Sequence, residues 1–545
     1  MNASSLAAPK TVAEAFLRSA AQYAARTALV TATGARISYA DLRVRVTEAV
    51  SVLRNLSCAA GDRIAIWLPN CPEWPMLQYA AALLGLVIVP INLRYRAAEA
   101  KFVLRSSGAK VLFIQDAFLT NDYLQRLEEI AQGALGRGSR AQIAALGRLE
   151  HIVRMAGTAD VPGTLAYQSL RSQTVPAEDL AELAALRRPE DPLWIFWTSG
   201  STSAPKGAQL PQSAIENVWN WTLRVRFGGD DRVLVSRPYF YIAGNYWCML
   251  APMLHGAVAV IGQLFTPKEI VLLCRRERVT VLSGNPLLLK AVIDDAAYDA
   301  RAFEHVRFGY LSGSAFSAED LSRIKQRIGY RYLIHTYGMT ELQGFVTSTD
   351  PQDPPEIVAG TCGTPLPGFE LKLRNIDTGE DVYGSGEGEL YVGGRGVVAY
   401  EGIAAADRAR LFDTQGWFRT GDLMRRRDDG RWQFLGRVKD LIKVGGENVS
   451  SGEIEAVLLR HPKIKQAAVV SIPDPRRGEV PAAFVEIRAG ERIDPVELTA
   501  WCREQMAPFK VPASFDFVAF GAWPMTSTGK IAKRELVPSG KQRQD

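Results

Sequence analysis

Between residues 27 and 115 short apolar runs alternate with stretches of helical periodicity. The run 63–68 predicts a strand, 74–86 a helix, 87–91 a second strand, 97–106 a helix and 110–114 a third strand. That βαβαβ rhythm implies a parallel sheet covered by helices. Similar strand-like runs recur at 232–236, 258–261 and 279–282, and 193–197 reads as a short buried strand. The apolar stretch 79–90 is too short to span a bilayer and ends in proline, so it predicts a buried helix passing into a strand. From about residue 368 the pattern changes to short strands after glycine-rich turns, as at 383–392, which predicts a small antiparallel barrel over 368–436. Beyond Gly436 comes a compact α+β segment. There Ser450 and Glu453 predict a capping box opening a helix towards Arg460, with strands at 467–472 and 482–487. The Gly-, Ala- and Arg-rich stretch 133–148 reads as a surface excursion.

A chain of 545 residues exceeds what one core accommodates, so two or more domains are expected. The division predicted is 1–436 for a large α/β domain and 437–545 for a small mobile α+β domain. Apolar content of 47% and charged content of 22% are those of a water-soluble globular protein. A net charge of +6 is small at this length, and the densest basic run, Arg425 to Arg427, is followed by Asp428 and Asp429. No nucleic-acid stripe is predicted. The six cysteines and five histidines show no metal-ligand spacing, and residues 1–10 lack the apolar core of a signal peptide. A cytoplasmic protein with reduced thiols is expected.

The candidate chemistry begins where the 193–197 strand runs into Thr198, Ser199, Gly200, Ser201, Thr202, Ser203, Ala204, Pro205, Lys206 and Gly207. Hydroxyls and backbone N–H groups donate, glycines permit close approach, and Lys206 adds positive charge: a phosphate-handling loop. A P-loop needs glycine before its lysine and Ser or Thr after it; Pro205 and Gly207 fail that pattern. In the second motif, His335 to Glu341, Tyr337 can stack on a purine, Gly338 admits a ligand, Thr340 can donate to phosphate, and Glu341 is a hard oxygen ligand for Mg²⁺. Asp422, at the turn 417–422, can accept hydrogen bonds from ribose hydroxyls. Taken singly, the second motif reads as a strand-to-loop turn with one exposed acid, and Asp422 equally as a turn aspartate. The segment 436–449 alone is a basic hairpin, and Lys530 alone a solvated lysine.

In this order and spacing the five motifs resemble the signatures of the adenylate-forming superfamily over roughly residues 30–535. This superfamily comprises acyl-CoA synthetases, firefly luciferases and the adenylation domains of peptide synthetases. The resemblance implies a large N-terminal domain and a small mobile C-terminal one. It assigns ATP phosphates to Thr198, Ser199, Gly200, Ser201, Thr202 and Lys206, with Gly313, Ser314, Tyr337, Asp422 and Arg437 also at the nucleotide. It implies that Tyr337 stacks on adenine, that Glu341 binds Mg²⁺ with Thr340 beside it, and that Asp422 takes the ribose. Lys439 is the implied hinge, Gly445 and Gly446 flank a pantetheine tunnel, and Lys530 is the catalytic lysine. Ser203 stands where the family usually has glycine.

The region 237–245 lacks the aspartate that pairs with amino-acid substrates, and Tyr241 replaces the histidine many acyl-CoA synthetases carry there. The resemblance is therefore strongest to a free-standing carboxylic acid:CoA ligase, with ATP, CoA and a small carboxylic acid as partners. Tyr241, Asn245, Gly338 and Met339 are expected at the acyl group, together with 283–286 and 313–314. That lining predicts a mixed, fairly apolar pocket with little cationic character, suited to fatty, alicyclic or aromatic acids. Two alternatives stay open: loading of a carrier protein, which uses the same residues in its first half-reaction, and a catalytically silent homologue.

Overall fold

The structure is a computed structural model. It describes residues 7–131, 146–157, 161–171, 180–198, 206–312, 318–396, 399–401, 409–444, 447–519, 521–525 and 531–538. Strands Arg63–Trp67, Val87–Pro90 and Val111–Ile114 are mutually parallel neighbours, joined by helices Glu73–Leu84 and Ala97–Ser107. The βαβαβ reading holds to within a residue or two at most ends. Helix Glu73–Leu84 is apolar almost all round, and every residue from Trp74 to Leu84 is buried. Gly85 closes it at φ 70°, the left-handed turn that lets the chain enter Val87–Pro90 at once. Pro192–Thr198 joins the parallel set beside Val87–Pro90 and pairs antiparallel with Lys206–Pro211. Strand Ala399–Glu401 covers the far edge of Lys206–Pro211.

A second sheet places Arg232–Val235 parallel to Val258–Ile261, which is parallel to Thr27–Val30. The expected strand 279–282 is reduced to single-residue bridges, Val233 to Val281 and Val281 to Phe308. These bridges carry the sheet on to the parallel pair Phe308–Leu311 and Tyr332–Tyr337. The carboxyl ends of Arg232–Val235, Phe308–Leu311 and Tyr332–Tyr337 therefore open on one edge, where α/β sheets place ligands.

Residues 369–437 form five antiparallel strands in the order Asp381–Val382, Phe369–Arg374, Gly386–Gly394, Phe418–Arg426, Trp432–Arg437. Past the short 3₁₀ turn Val438–Asp440, strands Leu441–Val444, Glu447–Ser450, Ile464–Asp474, Gly478–Ile487 and Ser514–Phe517 make a separate sheet. Helices Ser451–Leu459 and Pro495–Gln505 belong to the same segment. It has a core of its own, built on Ile442, Val449, Ile454, Leu458, Val469, Val485 and Leu498. The capping box is not formed: the Ser450 side chain makes no cap hydrogen bond. Its hydroxyl donates instead to the Leu435 carbonyl, and Glu453 pairs with Lys510. A carbonyl of the preceding sheet outcompetes the local N–H groups for that hydroxyl.

Candidate active site

Strand Tyr332–Tyr337 delivers Tyr337 to the open edge, and the chain turns at Gly338. A β-carbon on Gly338 would lie 1.9 Å from the Gly344 carbonyl oxygen, so only glycine allows this close return of the loop. The 3₁₀ turn Thr340–Leu342 follows, and Gln343 adopts φ 58°. Buried Asn217 donates to the carbonyls of Gln343 and Phe345, both at 2.9 Å, and Gln343 donates to the Gly396 carbonyl at 2.9 Å. Glu341 thus sits on a loop held from two sides.

Two contacts join motifs far apart in sequence. Thr198, the first residue of the phosphate loop, donates through Oγ1 to Glu341 Oε1 at 3.3 Å. The Tyr337 hydroxyl donates to Asp422 Oδ2 at 2.6 Å, while Arg437 Nε lies 2.7 Å from Asp422 Oδ1. Asp422 is 1% exposed, so its charge needs such partners. Its own N–H donates to Thr420 Oγ1 at 3.0 Å, fixing the turn that presents it. Burial holds the Tyr337 phenol well above its usual pKa, reinforced by the Asp422 carboxylate, so Tyr337 is a donor at every working pH. Burial also raises the Glu341 pKa, only partly offset by Arg437 and the Thr198 hydroxyl. Glu341 keeps some solvent contact, yet protein surrounds it closely enough for desolvation to dominate.

Lys206 is paired in register with Thr198, so the strand returning from the phosphate loop places it beside that loop's first residue. His335 is not part of the constellation: its Nδ1 meets the Thr361 carbonyl at 2.7 Å, and burial lowers its pKa, keeping it neutral. Lys533, near the candidate Lys530 in sequence, forms an ion pair with Glu455 at 2.6 Å and donates to Ser451 at 2.9 Å. Lys439 is exposed on the turn Val438–Asp440, between the two sheets. Ser199, Gly200, Ser201, Thr202, Gly313, Ser314, Gly445, Gly446 and Lys530 lie outside the described residues.

Around the strand ends, Tyr241 accepts a hydrogen bond from Asn92 at 3.0 Å, and Met339 is partly buried against the main core. Asn245 is turned inward instead. It is fully buried, its Oδ1 accepts from Gln78 at 3.1 Å, its Nδ2 donates back to Gln78, and Trp194 also binds Gln78 at 3.1 Å. One cation escaped the sequence reading. Arg237 leaves the end of Arg232–Val235, lies over the Trp247 ring at 5.3 Å from its centroid, and reaches Ser312 at 3.4 Å. The signal was present: an arginine immediately before Pro238, in the otherwise uncharged run 233–254.

Among the described residues no group of three or more His, Cys, Asp or Glu side chains gathers to hold a metal. Glu341 with the Thr198 hydroxyl offers one carboxylate and one neutral oxygen, a donor set that suits Mg²⁺, which keeps waters and binds mainly through substrate phosphates. Burial is the main cause of the raised Glu341 pKa, and a bound cation would offset it.

Fold and motif order are those of the adenylate-forming type. Residues 16–399 match the family profile "AMP-binding enzyme" and 453–530 match "AMP-binding enzyme C-terminal domain". The chain belongs to this AMP-binding enzyme family. It is 32% identical, over 97% of its length and 98% of the relative's, to a Mycobacterium tuberculosis 3-[(3aS,4S,7aS)-7a-methyl-1,5-dioxo-octahydro-1H-inden-4-yl]propanoyl:CoA ligase. It is 30% identical, over 96% of its length and 87% of the relative's, to the mitochondrial medium-chain acyl-CoA ligase ACSF2 of Mus musculus. Its fold matches that of the anthranilate CoA ligase AuaEII in complex with anthranoyl-AMP at a TM-score of 0.83, covering 98% of both chains at 24% identity.

Proposed function

We propose that the protein is an AMP-forming carboxylic acid:CoA ligase. A carboxylate attacks the α-phosphorus of ATP to give acyl-adenylate and pyrophosphate; the CoA thiol then displaces AMP. The observation that carries this reading is the convergence of Thr198 on Glu341 and of Tyr337 and Arg437 on Asp422. Asp422, oriented by its two partners, takes the ribose hydroxyls, and the Tyr337 ring packs on adenine. Lys206 and the loop 198–203 hold the phosphates. Mg²⁺ at Glu341 would supply positive charge at the phosphate oxygens, and Lys530 would supply it at the reacting oxygens, where charge develops. The first half-reaction would use Lys530 and the second the Gly445–Gly446 segment, 85 residues earlier in the same small domain. That domain therefore turns about Lys439 between steps.

The two curated relatives act, by name, on medium-chain acids and on a propanoic acid carrying a fused alicyclic ring system. An aliphatic or alicyclic acid is the substrate class this favours here. Five of the six cysteines are buried free thiols, in keeping with a reducing, cytoplasmic setting. The test measures the two half-reactions separately. Lys530→Ala should lower acid-dependent pyrophosphate release by roughly 10²–10³ and spare thioester formation from supplied acyl-adenylate. Lys439→Pro, with φ fixed near −65°, should do the reverse. Release of ADP, or AMP formation with no CoA dependence, would contradict the ligase reading.

A further inference from the structure

Arg237 is a half-buried cation with few protein partners. A guanidinium has five N–H donors and no way to shed its charge at working pH. Here one nitrogen reaches Ser312 at 3.4 Å, the Trp247 face lies at 5.3 Å, and Nε is buried with no hydrogen-bond partner. Among the described residues no carboxylate forms an ion pair with it, and the segment following Ser312, residues 313–317, contains no acid. Burial pushes its pKa down, with only the neutral Tyr310 and Cys248 side chains opposing. A neutral residue would avoid that cost, because even partial removal of a charge from water is unfavourable without a counter-charge. Among the described residues the guanidinium therefore keeps donors unused, open to a group from outside the chain.

The position says where it comes from. Arg237 and Ser312 follow the carboxyl ends of Arg232–Val235 and Phe308–Leu311, the same edge on which Tyr332–Tyr337 presents Gly338 and Met339. Trp247, the ring beneath the guanidinium, stacks on Phe345 at 5.2 Å, four residues beyond Glu341. The guanidinium thus belongs to the wall beside the nucleotide cleft, where the acid must lie.

We propose that Arg237 selects carboxylic acids bearing a second oxygen acceptor, a carbonyl or a carboxylate, remote from the reacting carboxylate. This rests on the ligase reading above. The acceptor takes the unused N–H donors and is neutral or anionic, whereas an acid with a plain hydrocarbon tail buries the cation without compensation. Arginine suits this because its planar fork addresses carbonyl and carboxylate oxygens in fixed directions.

The test compares matched acids in a CoA-dependent AMP-release assay: octanoate, an oxo-octanoate and octanedioate, and cyclohexanecarboxylate with its oxo and dicarboxylate counterparts. The wild-type enzyme should favour the better oxygenated member of at least one set by roughly 10²-fold in kcat/KM. Arg237→Leu should erase that preference. The oxo and dicarboxylate arms tell whether a dipole or an anion is the intended partner. A wild-type preference below tenfold in both sets, or one unchanged in Arg237→Leu, overturns the assignment. Should the leucine variant not fold, the wild-type ratio decides by the same tenfold threshold. Turnover of the hydrocarbon acids without preference refutes only the role of Arg237; absence of AMP from every acid refutes the ligase reading itself.

Discussion

Tyr337 and Arg437 both lie against the Asp422 carboxylate, on the side proposed for the nucleotide, whereas Arg237, at the neighbouring strand ends, meets one serine hydroxyl and an indole face. On the proposed nucleotide side the buried Asp422 carboxylate already accepts a hydrogen bond from Tyr337 and pairs with Arg437, which is a preorganised arrangement. At Arg237 the charge is held open. A site for a common co-substrate can complete its own polar network, while a site that discriminates among acids gains selectivity from a group that only the right acid can satisfy. Asn245, close by in sequence, shows a third use of polarity, since it is spent entirely on Gln78 inside the core.

Glu341 is where the contrast breaks most sharply, because it lies on the nucleotide side yet its charge is under-compensated. Glu341→Gln should lower adenylate formation by roughly 10²-fold, measured as acid-dependent pyrophosphate release at saturating ATP. The same change should raise thermal stability without ligands at neutral pH. Burial raises the folded-state pKa of Glu341, so the folded state favours its protonated form. The favourable contribution of that form is present at acid pH and lost as pH rises through the folded-state value. The advantage of glutamine should therefore vanish in acid, and a glutamine variant less stable than wild type at neutral pH would contradict it. A smaller effect is expected at Asn245. Asn245→Ala leaves the buried Gln78 Nε2 without its acceptor and should cost about 1–3 kcal/mol in denaturant unfolding. The ratio of activities on oxygenated and hydrocarbon acids should stay as in wild type; a changed ratio would bring Asn245 into the acyl site.

How much of this was legible in the sequence differs between the same regions. The parallel strands at 63–67, 87–90 and 111–114 were readable because buried strands are continuous apolar runs. The nucleotide motifs were readable because each combines residue types that few other structures need together, such as Gly338 beside Thr340 and Glu341. What could not be read was pairing at a distance. The Ser450 hydroxyl reaches Leu435 instead of capping its own helix, and the run 279–282 is held by isolated bridges despite its strand-like composition. Arg237 was passed over for a related reason. One charged residue in an apolar run says nothing of its partners, and only the structure shows that none of the described carboxylates pairs with it.

The separation of the two sides is tested most directly by one crossed measurement: KM for ATP and the preference between matched oxygenated and hydrocarbon acids, each determined in Asp422→Ala and in Arg237→Leu. Asp422→Ala removes hydrogen bonds to a charged acceptor and should raise KM for ATP by roughly 10–10²-fold while leaving the acid preference unchanged. Arg237→Leu should erase the acid preference and leave KM for ATP within about twofold of wild type. Movement of both quantities in both variants would show a single coupled site and contradict the division into a preorganised nucleotide side and an open acyl side.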